Sequence, residues 1–134
     1  MFVDASAMVA ILIGEPQRSL LLKCLDSAPA PITSALAVFE TVAAVTRRRA
    51  QSAETSEAQV REFLEAVGIT IVPIAEAEGQ EALTAYARYG KGQGHPAQLN
   101  LGDCLAYACA RTRNVPLLFV GNDFSQTDIT SATG

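Results

Sequence analysis

The sequence predicts an α/β fold in which a central sheet of short parallel strands is covered by helices on both faces. Short apolar segments alternate with longer helical segments along the chain, an order that is typical of parallel sheets. The strand segments are apolar throughout, which indicates burial on both faces. The chain has 134 residues, of which 49% are hydrophobic, so it can form a substantial core. We therefore expect a single domain over residues 1–134, built as a three-layer α/β/α sandwich.

Turn and capping residues delimit the elements of the N-terminal half. The first helix should stop near Gly14, because Pro16 disfavours helical backbone at the residue before it. Ser34 is a typical N-cap, and Gly68 is typical of the position that closes a helix. These signals predict a strand at Phe2-Val3, a helix ending at Ile13, a helix over Leu20–Leu25, an extended segment at Pro31–Thr33, and helices over Ala35–Arg49 and Glu54–Val67.

The C-terminal half continues the alternation. Ile69–Val72 is β-branched and short, which predicts a buried strand that ends at Pro73. The remaining predicted elements are a helix over Ala75–Tyr89, a glycine-rich loop from 90 to 100, a helix over Gly102–Arg113 and a last strand over Val115–Val120.

Composition excludes several classes of protein. The first apolar run, Ala5–Ile13, has nine residues, against roughly 20 for a membrane span, and no basic residue precedes it as in a secretory signal. Three cysteines without a C-x-x-C pair fit neither a disulfide framework nor a zinc site. A net charge of −4 argues against charge-driven binding of nucleic acid. We expect a cytoplasmic protein without a membrane partner, which would recognise nucleic acid only locally, through a basic patch or a metal ion.

Three acidic residues lie where strands end or helices begin. Asp4 ends the first strand, Asp103 opens a helix and Asp123 follows the last strand. Each has an ordinary structural interpretation, as an N-cap, as the capping-box partner of Asn100 and as a turn residue. In parallel sheets, however, ligands bind beyond the carboxyl ends of the strands.

Glu40 is harder to explain by local structure. It is the only charged residue from 32 to 46, in a helix whose apolar residues predict that it is mostly buried. An unpaired buried charge is very costly, so the structural alternative is a salt bridge to Arg111 or Arg113. Clustered carboxylates otherwise need a cation, and all-oxygen ligands suit Mg²⁺ or Mn²⁺. The four acids therefore predict a divalent-metal site.

Four segments in order carry a family likeness: Met1–Ala7, Ala37–Glu40, Leu99–Cys104 and Leu117–Ile129. Together they resemble the PIN-domain ribonuclease toxins called VapC, over nearly the whole chain. The resemblance implies a PIN-like fold and a magnesium-dependent endoribonuclease that inhibits translation by cutting RNA. It also implies a homodimer and a cognate VapB-type antitoxin as partner.

The resemblance also assigns residues to the site. By position, Asp4, Glu40 and Asp103 match the family's metal-site acids, and Asp123 falls in its fourth acidic segment. We predict that Asp4 and Asp103 bind the principal ion directly. Glu40 should orient the water of that ion or share the ion, and Asp123 should act on an outer or second ion.

Two further residues are candidates for substrate binding. Ser6 matches a small hydroxyl residue near the family's site. His95 lies in a flexible basic loop that leads towards Asp103 and could contact RNA; the alternative is an exposed loop histidine, since a lone histidine has no metal-ligand spacing. Gly121 and Asn122 stand where relatives often carry acids. Whether the site binds one metal ion or two therefore stays open.

Other functions stay open on the residues alone. An Mg²⁺-dependent phosphatase with an aspartyl intermediate also has an Asp after its first strand, but usually a second one where this chain has Ser6. A non-enzymatic alternative is a phosphoacceptor module or a catalytically degenerate PIN-like binding module; the predicted third strand ends at Pro73, where a receiver module needs an Asp. The apolar residues of Leu20–Leu25 and Ala35–Val45 exceed what one small domain readily buries, which permits a dimer.

Overall fold

The structure is a computed structural model that describes residues 1–134. The strands are β1 (Phe2–Val3), β2 (Ile32–Ser34), β3 (Thr70–Val72) and β4 (Leu117–Leu118). The helices are α1 (Ala5–Ile13), α2 (Arg18–Ser27), α3 (Ala35–Arg49), α4 (Ala53–Val67), α5 (Glu76–Tyr89) and α6 (Leu101–Thr112), and a 3₁₀ turn follows at Phe124–Gln126. None of the helices combines the length and the hydropathy that crossing a bilayer requires.

The four strands form one parallel sheet in the order β3-β2-β1-β4. Phe2 of β1 is paired with Ile32 of β2 on one side and with Leu117 of β4 on the other. The sheet is the predicted parallel one. Because β1 is an interior strand, the chain leaves it at the middle of the carboxyl edge, at Asp4.

Hydrophobic cores lie on both faces of this sheet. Phe2 and Leu117 pack with residues of α5 and α6, whereas their neighbours Val3 and Leu118 pack with residues of α1 to α4. Successive residues of a strand point to opposite faces, so two adjacent apolar residues supply both cores. The predicted α/β/α layering is confirmed.

Local capping residues mark the beginning of α3 and the ends of α1 and α4, as predicted. The hydroxyl of Ser34 accepts a hydrogen bond from the Ala37 N–H at 3.1 Å and caps α3. Gly14 and Gly68 close α1 and α4 with φ of 83° and 80°, a left-handed backbone that favours glycine because it has no Cβ.

Two strand predictions were wrong in detail. β3 lies at the edge of the sheet, and Thr70 and Ile71 are exposed, not buried. An apolar run does not reveal where its strand lies in the sheet, so an edge strand gave the same pattern. The last strand is limited to Leu117–Leu118 because the chain then leaves the ladder, and the Val120 N–H donates to the Ser6 hydroxyl at 3.0 Å.

The expectation that α3 is mostly buried was also wrong. Phe39 is 72% exposed and Glu40 is only half-buried. The helix packs on α1 and α4 through one stripe, and its other apolar residues are partly buried or exposed. The buried stripe consists of Ala37, Val38, Thr41 and Val45.

Candidate active site

Asp4 lies at the carboxyl end of β1 and caps α1. Its side chain is 4% exposed, and its Oδ2 accepts hydrogen bonds from the Ser6 N–H at 3.0 Å and from the Ser6 hydroxyl at 2.6 Å. The capping interpretation of Asp4 is therefore correct. Both hydrogen bonds from Ser6 go to Oδ2 and do not occupy Oδ1, so capping and metal binding are compatible.

Ser6 holds Asp4 in place. Its hydroxyl donates to the Asp4 carboxylate and accepts the Val120 N–H at 3.0 Å. This hydroxyl ties the chain leaving β4 to the acid that ends β1. Contact between Ser6 and a substrate stays a prediction, whereas its positioning of Asp4 is visible in the structure.

Asp103 is placed by a reciprocal cap at the start of α6. The Asp103 N–H donates to the Asn100 side-chain oxygen at 2.8 Å, and the Asn100 N–H donates to Asp103 Oδ2 at 3.1 Å. Such a capping box satisfies backbone donors that the helix leaves free. Here too the structural interpretation is correct and the carboxylate is still oriented at the carboxyl edge of the sheet.

Glu40 reaches from α3 to the first turn of α6. Its carboxyl lies against Gly102, so close that a Cβ on that residue would be 2.8 Å from Glu40 Cδ and 2.9 Å from Oε1. Neither Arg111 nor Arg113 contacts it, because Arg111 pairs with Asp128 at 3.7 Å and Arg113 with Glu78 at 3.9 Å. The salt-bridge alternative for Glu40 is therefore excluded.

The carboxylates raise one another's pKa values. Burial raises the pKa of Glu40 to about 7, and the charges of Asp4 and Asp103 add to this. Burial likewise raises the pKa of Asp103 to about 6. The hydrogen bond from the Asn100 N–H acts in the opposite sense, and the charges of Asp4 and Asp123 add to the rise. Burial also raises the pKa of Asp4, against the hydrogen bonds from Ser6.

Asp123 belongs to the same electrostatic cluster but is held loosely. It is exposed, immediately precedes the 3₁₀ turn and makes no side-chain capping bond. Its charge nevertheless raises the pKa values of Asp4 and Asp103. The structure thus brings all four predicted acids to one edge of the sheet, with Asp123 at the solvent side.

No cation of the protein neutralises this cluster. The ion pairs of the structure involve none of the four acids. No three His, Cys, Asp or Glu side chains converge closely enough to form a ready-made metal site. Desolvated oxygen ligands without a counter-charge fit a hard divalent cation.

His95 lies in the aromatic packing of the loop after α5. Its Nδ1 accepts the Ala97 N–H at 3.1 Å, and its ring packs edge-on against Tyr89 with centroids 4.9 Å apart. The loop is tied across its base by a bridge between Gly90 and Leu99. His95 therefore organises the loop and does not join the acids; its contact with RNA stays a prediction.

Gly102 is the site residue that sequence reasoning missed. In the sequence it marks only the start of a predicted helix, although glycine is a poor helix former and nothing in the local sequence requires it. A glycine in the first turn of a helix, directly before a candidate metal ligand, was the available signal for a close approach by another group.

The fold and the acidic edge define a class of protein, and comparison with known proteins agrees with it. The PIN domain family model matches residues 1–129. A VapC ribonuclease of Rhizobium meliloti is 46% identical and matches 96% of this chain and 98% of its own length. Ribonuclease VapC42 of Mycobacterium tuberculosis is 41% identical over 98% of both chains. This chain belongs to the VapC ribonucleases of the PIN-domain family.

Solved structures share the fold at much lower sequence identity. The crystal structure of Mycobacterium tuberculosis VapC20, a toxin that cleaves the sarcin-ricin loop, aligns with a TM-score of 0.75 at 17% identity and covers 96% of this chain and 95% of that one. A toxin-antitoxin complex from Klebsiella pneumoniae aligns with a TM-score of 0.69 at 16% identity, over 92% and 89% of the two chains. The predicted PIN-like fold is confirmed.

Proposed function

We propose that this protein is a magnesium-dependent endoribonuclease toxin that inhibits translation by hydrolysing RNA phosphodiester bonds. The observation that carries the proposal is the set of desolvated carboxylates at the carboxyl edge of the sheet, with no protein cation to neutralise them. A buried cluster of like charges is unfavourable for folding. The cost is understandable if the cluster exists to bind a divalent cation.

Asp4 and Asp103 would hold the ion directly, with Mg²⁺ as the natural cation and Mn²⁺ as a substitute. Both side chains are fixed by hydrogen bonds at one oxygen, to Ser6 and to the Asn100 N–H respectively, which pre-organises the other oxygen. Glu40 and Asp123 would support the site from the α3 side and from the solvent side. When bound, the ion activates a water molecule and neutralises charge on the phosphate.

The protein's own groups would then orient the reactants. Glu40, whose pKa lies near 7, is suited to accept a hydrogen bond from the attacking water and to hold its proton near neutral pH. Asp123 is exposed and its side chain makes no capping bond, so it would be available to the outer face of the phosphate. Gly121 and Asn122 place no additional acid at this outer position.

Two protein partners are part of the proposal: a VapB-type antitoxin and a second copy of this chain. VapC relatives, and a structural neighbour described as a toxin-antitoxin complex, support the antitoxin. Large apolar residues on the surface support the homodimer, which light scattering in solution would test. The most exposed are Leu101 at 74%, Phe39 at 72%, Leu83 at 63% and Leu20 at 53%. We propose that all of these encounters occur in the cytoplasm.

The test is cleavage of RNA by the purified protein with Mg²⁺, with EDTA, and with Asp4→Asn and Asp103→Asn. Each substitution should lower the rate by at least about a hundredfold, the scale on which a positioned catalytic group contributes. Asp26→Asn, an exposed acid of α2, is the matched control and should leave the rate unchanged. Mapping the 5′ ends of the products would identify the RNA that is cut.

Two results would contradict the nuclease proposal. Cleavage that persists in both variants would come from a contaminating enzyme. No metal-dependent cleavage of any RNA, together with retained antitoxin binding, would favour the degenerate binding module. The phosphatase alternative has less support, because the hydroxyl of Ser6 is engaged with Asp4 and Val120 where that class has its second acid.

A further inference from the structure

Glycine 102 stands at a position where the backbone does not call for glycine. It is the second residue of α6, after the N-cap Asn100, and its φ lies outside the left-handed region. Alanine is the better helix former, because glycine loses more conformational freedom on folding. The reason for glycine here must therefore be the missing side chain.

The space that a side chain would occupy is filled by the carboxyl of Glu40. A Cβ on Gly102 would meet Oε2, Cδ and Oε1 of that one residue, the last two at 2.8 and 2.9 Å. All three contacts are to the end of a flexible side chain, not to backbone. An added methyl group would therefore displace the carboxyl of Glu40 and leave the helix in place.

Other glycines of the chain do not have this property. Gly79, the fourth residue of α5, has nothing within 4 Å of its Cβ position, and the Cβ of a residue at position 90 would meet Tyr86. Gly14 and Gly68 have open space but left-handed backbone. The approach of a functional acid distinguishes Gly102.

We infer, on the basis of the function proposed above, that Gly102 is a positioning residue for Glu40. Its bare backbone lets the carboxyl of Glu40 lie against the first turn of α6, within reach of the electrostatic influence of Asp4 and Asp103. The positive end of the α6 dipole favours a carboxylate at this point. Gly102 thereby fixes the distance between the acid of α3 and the acid of α6.

The test is Gly102→Ala, with Gly79→Ala as the matched control for the gain in helix propensity. Gly102→Ala should lower kcat for RNA cleavage by about 10- to 100-fold, as displacement of a catalytic group by an ångström does, with little change in KM. It should also reduce the rise in Tm that Mg²⁺ produces. Gly79→Ala should change neither quantity.

A shorter acid at position 40 supplies the rescue. Glu40→Asp removes one methylene group and withdraws the carboxyl from the added methyl. When Gly102→Ala is made in the Glu40→Asp protein, the further loss of kcat should therefore be only about threefold or less. Comparing the two losses is a double-mutant cycle. An equal cost in both backgrounds would show that Gly102 acts independently of Glu40, and would overturn the inference.

Failure of the inference and failure of the proposed function give different results. If the unaltered protein cleaves no RNA, the nuclease proposal fails, and the crystal structure of Gly102→Ala decides the positioning role. A displaced Glu40 carboxyl with α6 unmoved would support it. A carboxyl that keeps its place while the helix shifts would refute it.

Discussion

Asp128 and Glu40 show how neighbours set the role of a carboxylate. Asp128 Oδ1 accepts a hydrogen bond from the Tyr107 hydroxyl at 2.5 Å, while Arg88 and Arg111 approach Oδ2 to 3.6 and 3.7 Å. The Tyr107 hydrogen bond, followed by the two arginines, lowers the pKa of Asp128. Glu40 has no such partner, and burial raises its pKa to about 7.

The presence or absence of compensating partners separates an acid that stabilises the fold from acids that are available to bind a ligand. Asp128 fastens the segment after the 3₁₀ turn to α5 and α6 through compensated charge. The cluster of Asp4, Glu40 and Asp103 stores uncompensated charge, which weakens the metal-free fold. Neutralising the two kinds of acid should therefore have opposite effects.

The largest contrast is expected in the response of stability to magnesium. At a Mg²⁺ concentration tenfold above Kd, binding should stabilise the protein by about 1.4 kcal/mol, or roughly 3–6 °C in Tm. Asp128→Asn should keep this shift, and Asp103→Asn should lose most of it, because only Asp103 belongs to the cluster. Thermal unfolding with and without Mg²⁺ measures both. Equal shifts in the two variants would remove the distinction between them.

A smaller contrast is expected without metal. Glu40→Gln should raise the free energy of unfolding by about 1 kcal/mol at pH 8, after discounting the pKa shift for the partial exposure of Glu40. Asp128→Asn should lower it by up to about 1 kcal/mol, since two exposed ion pairs are lost and the hydrogen bond from Tyr107 no longer goes to a charged acceptor. Urea unfolding in EDTA gives both values. A loss of stability in Glu40→Gln would mean that its charge is already compensated.

The dependence of stability on pH gives the finest test. The folded pKa values of Glu40 and Asp103, about 7 and about 6, exceed their ordinary values, so the folded protein binds more protons than the unfolded chain. Their contribution is fully present below the ordinary pKa values and is lost as the pH rises through 6 and 7. Metal-free protein should therefore lose stability over this range.

The contribution of Asp128 to stability depends on pH in the opposite sense. Its folded pKa is lowered, so its contribution is present above the ordinary value and is lost as the pH falls through that value and below. The decrease in the free energy of unfolding of metal-free protein between about pH 5 and 7.5 should be smaller in Glu40→Gln. It should be unchanged in Asp128→Asn. A flat profile in the unaltered protein would contradict the raised pKa values.

Much of the fold was predictable because its signals are local. Ser34 and Gly68 mark helix ends through their own hydrogen bonds and backbone angles, and these depend on neighbouring residues only. The position of β3 was not predictable in this way. Ile71 is apolar in a buried strand and in an edge strand alike, and the order of the strands decides its exposure.

The acids of the site could be selected from the chain because each breaks a local pattern, as Glu40 does in an apolar segment. Their partners could not be selected. The hydroxyl of Ser6 accepts a hydrogen bond from Val120, and the carboxyl of Glu40 lies against Gly102. Both partners are far away along the chain. The same applies to Asp128, whose arginines lie on two helices.

The order of residues along this chain was enough to specify its helix and strand types, its family and the four carboxylates. Those properties depend on residue chemistry and on interactions within a few positions. Folding decided which carboxylates stay uncompensated, because electrostatic energy depends on distance and burial in space. Only in the folded chain do Arg88 and Arg111 meet Asp128, and only there does Glu40 lie beside Gly102 without a cation.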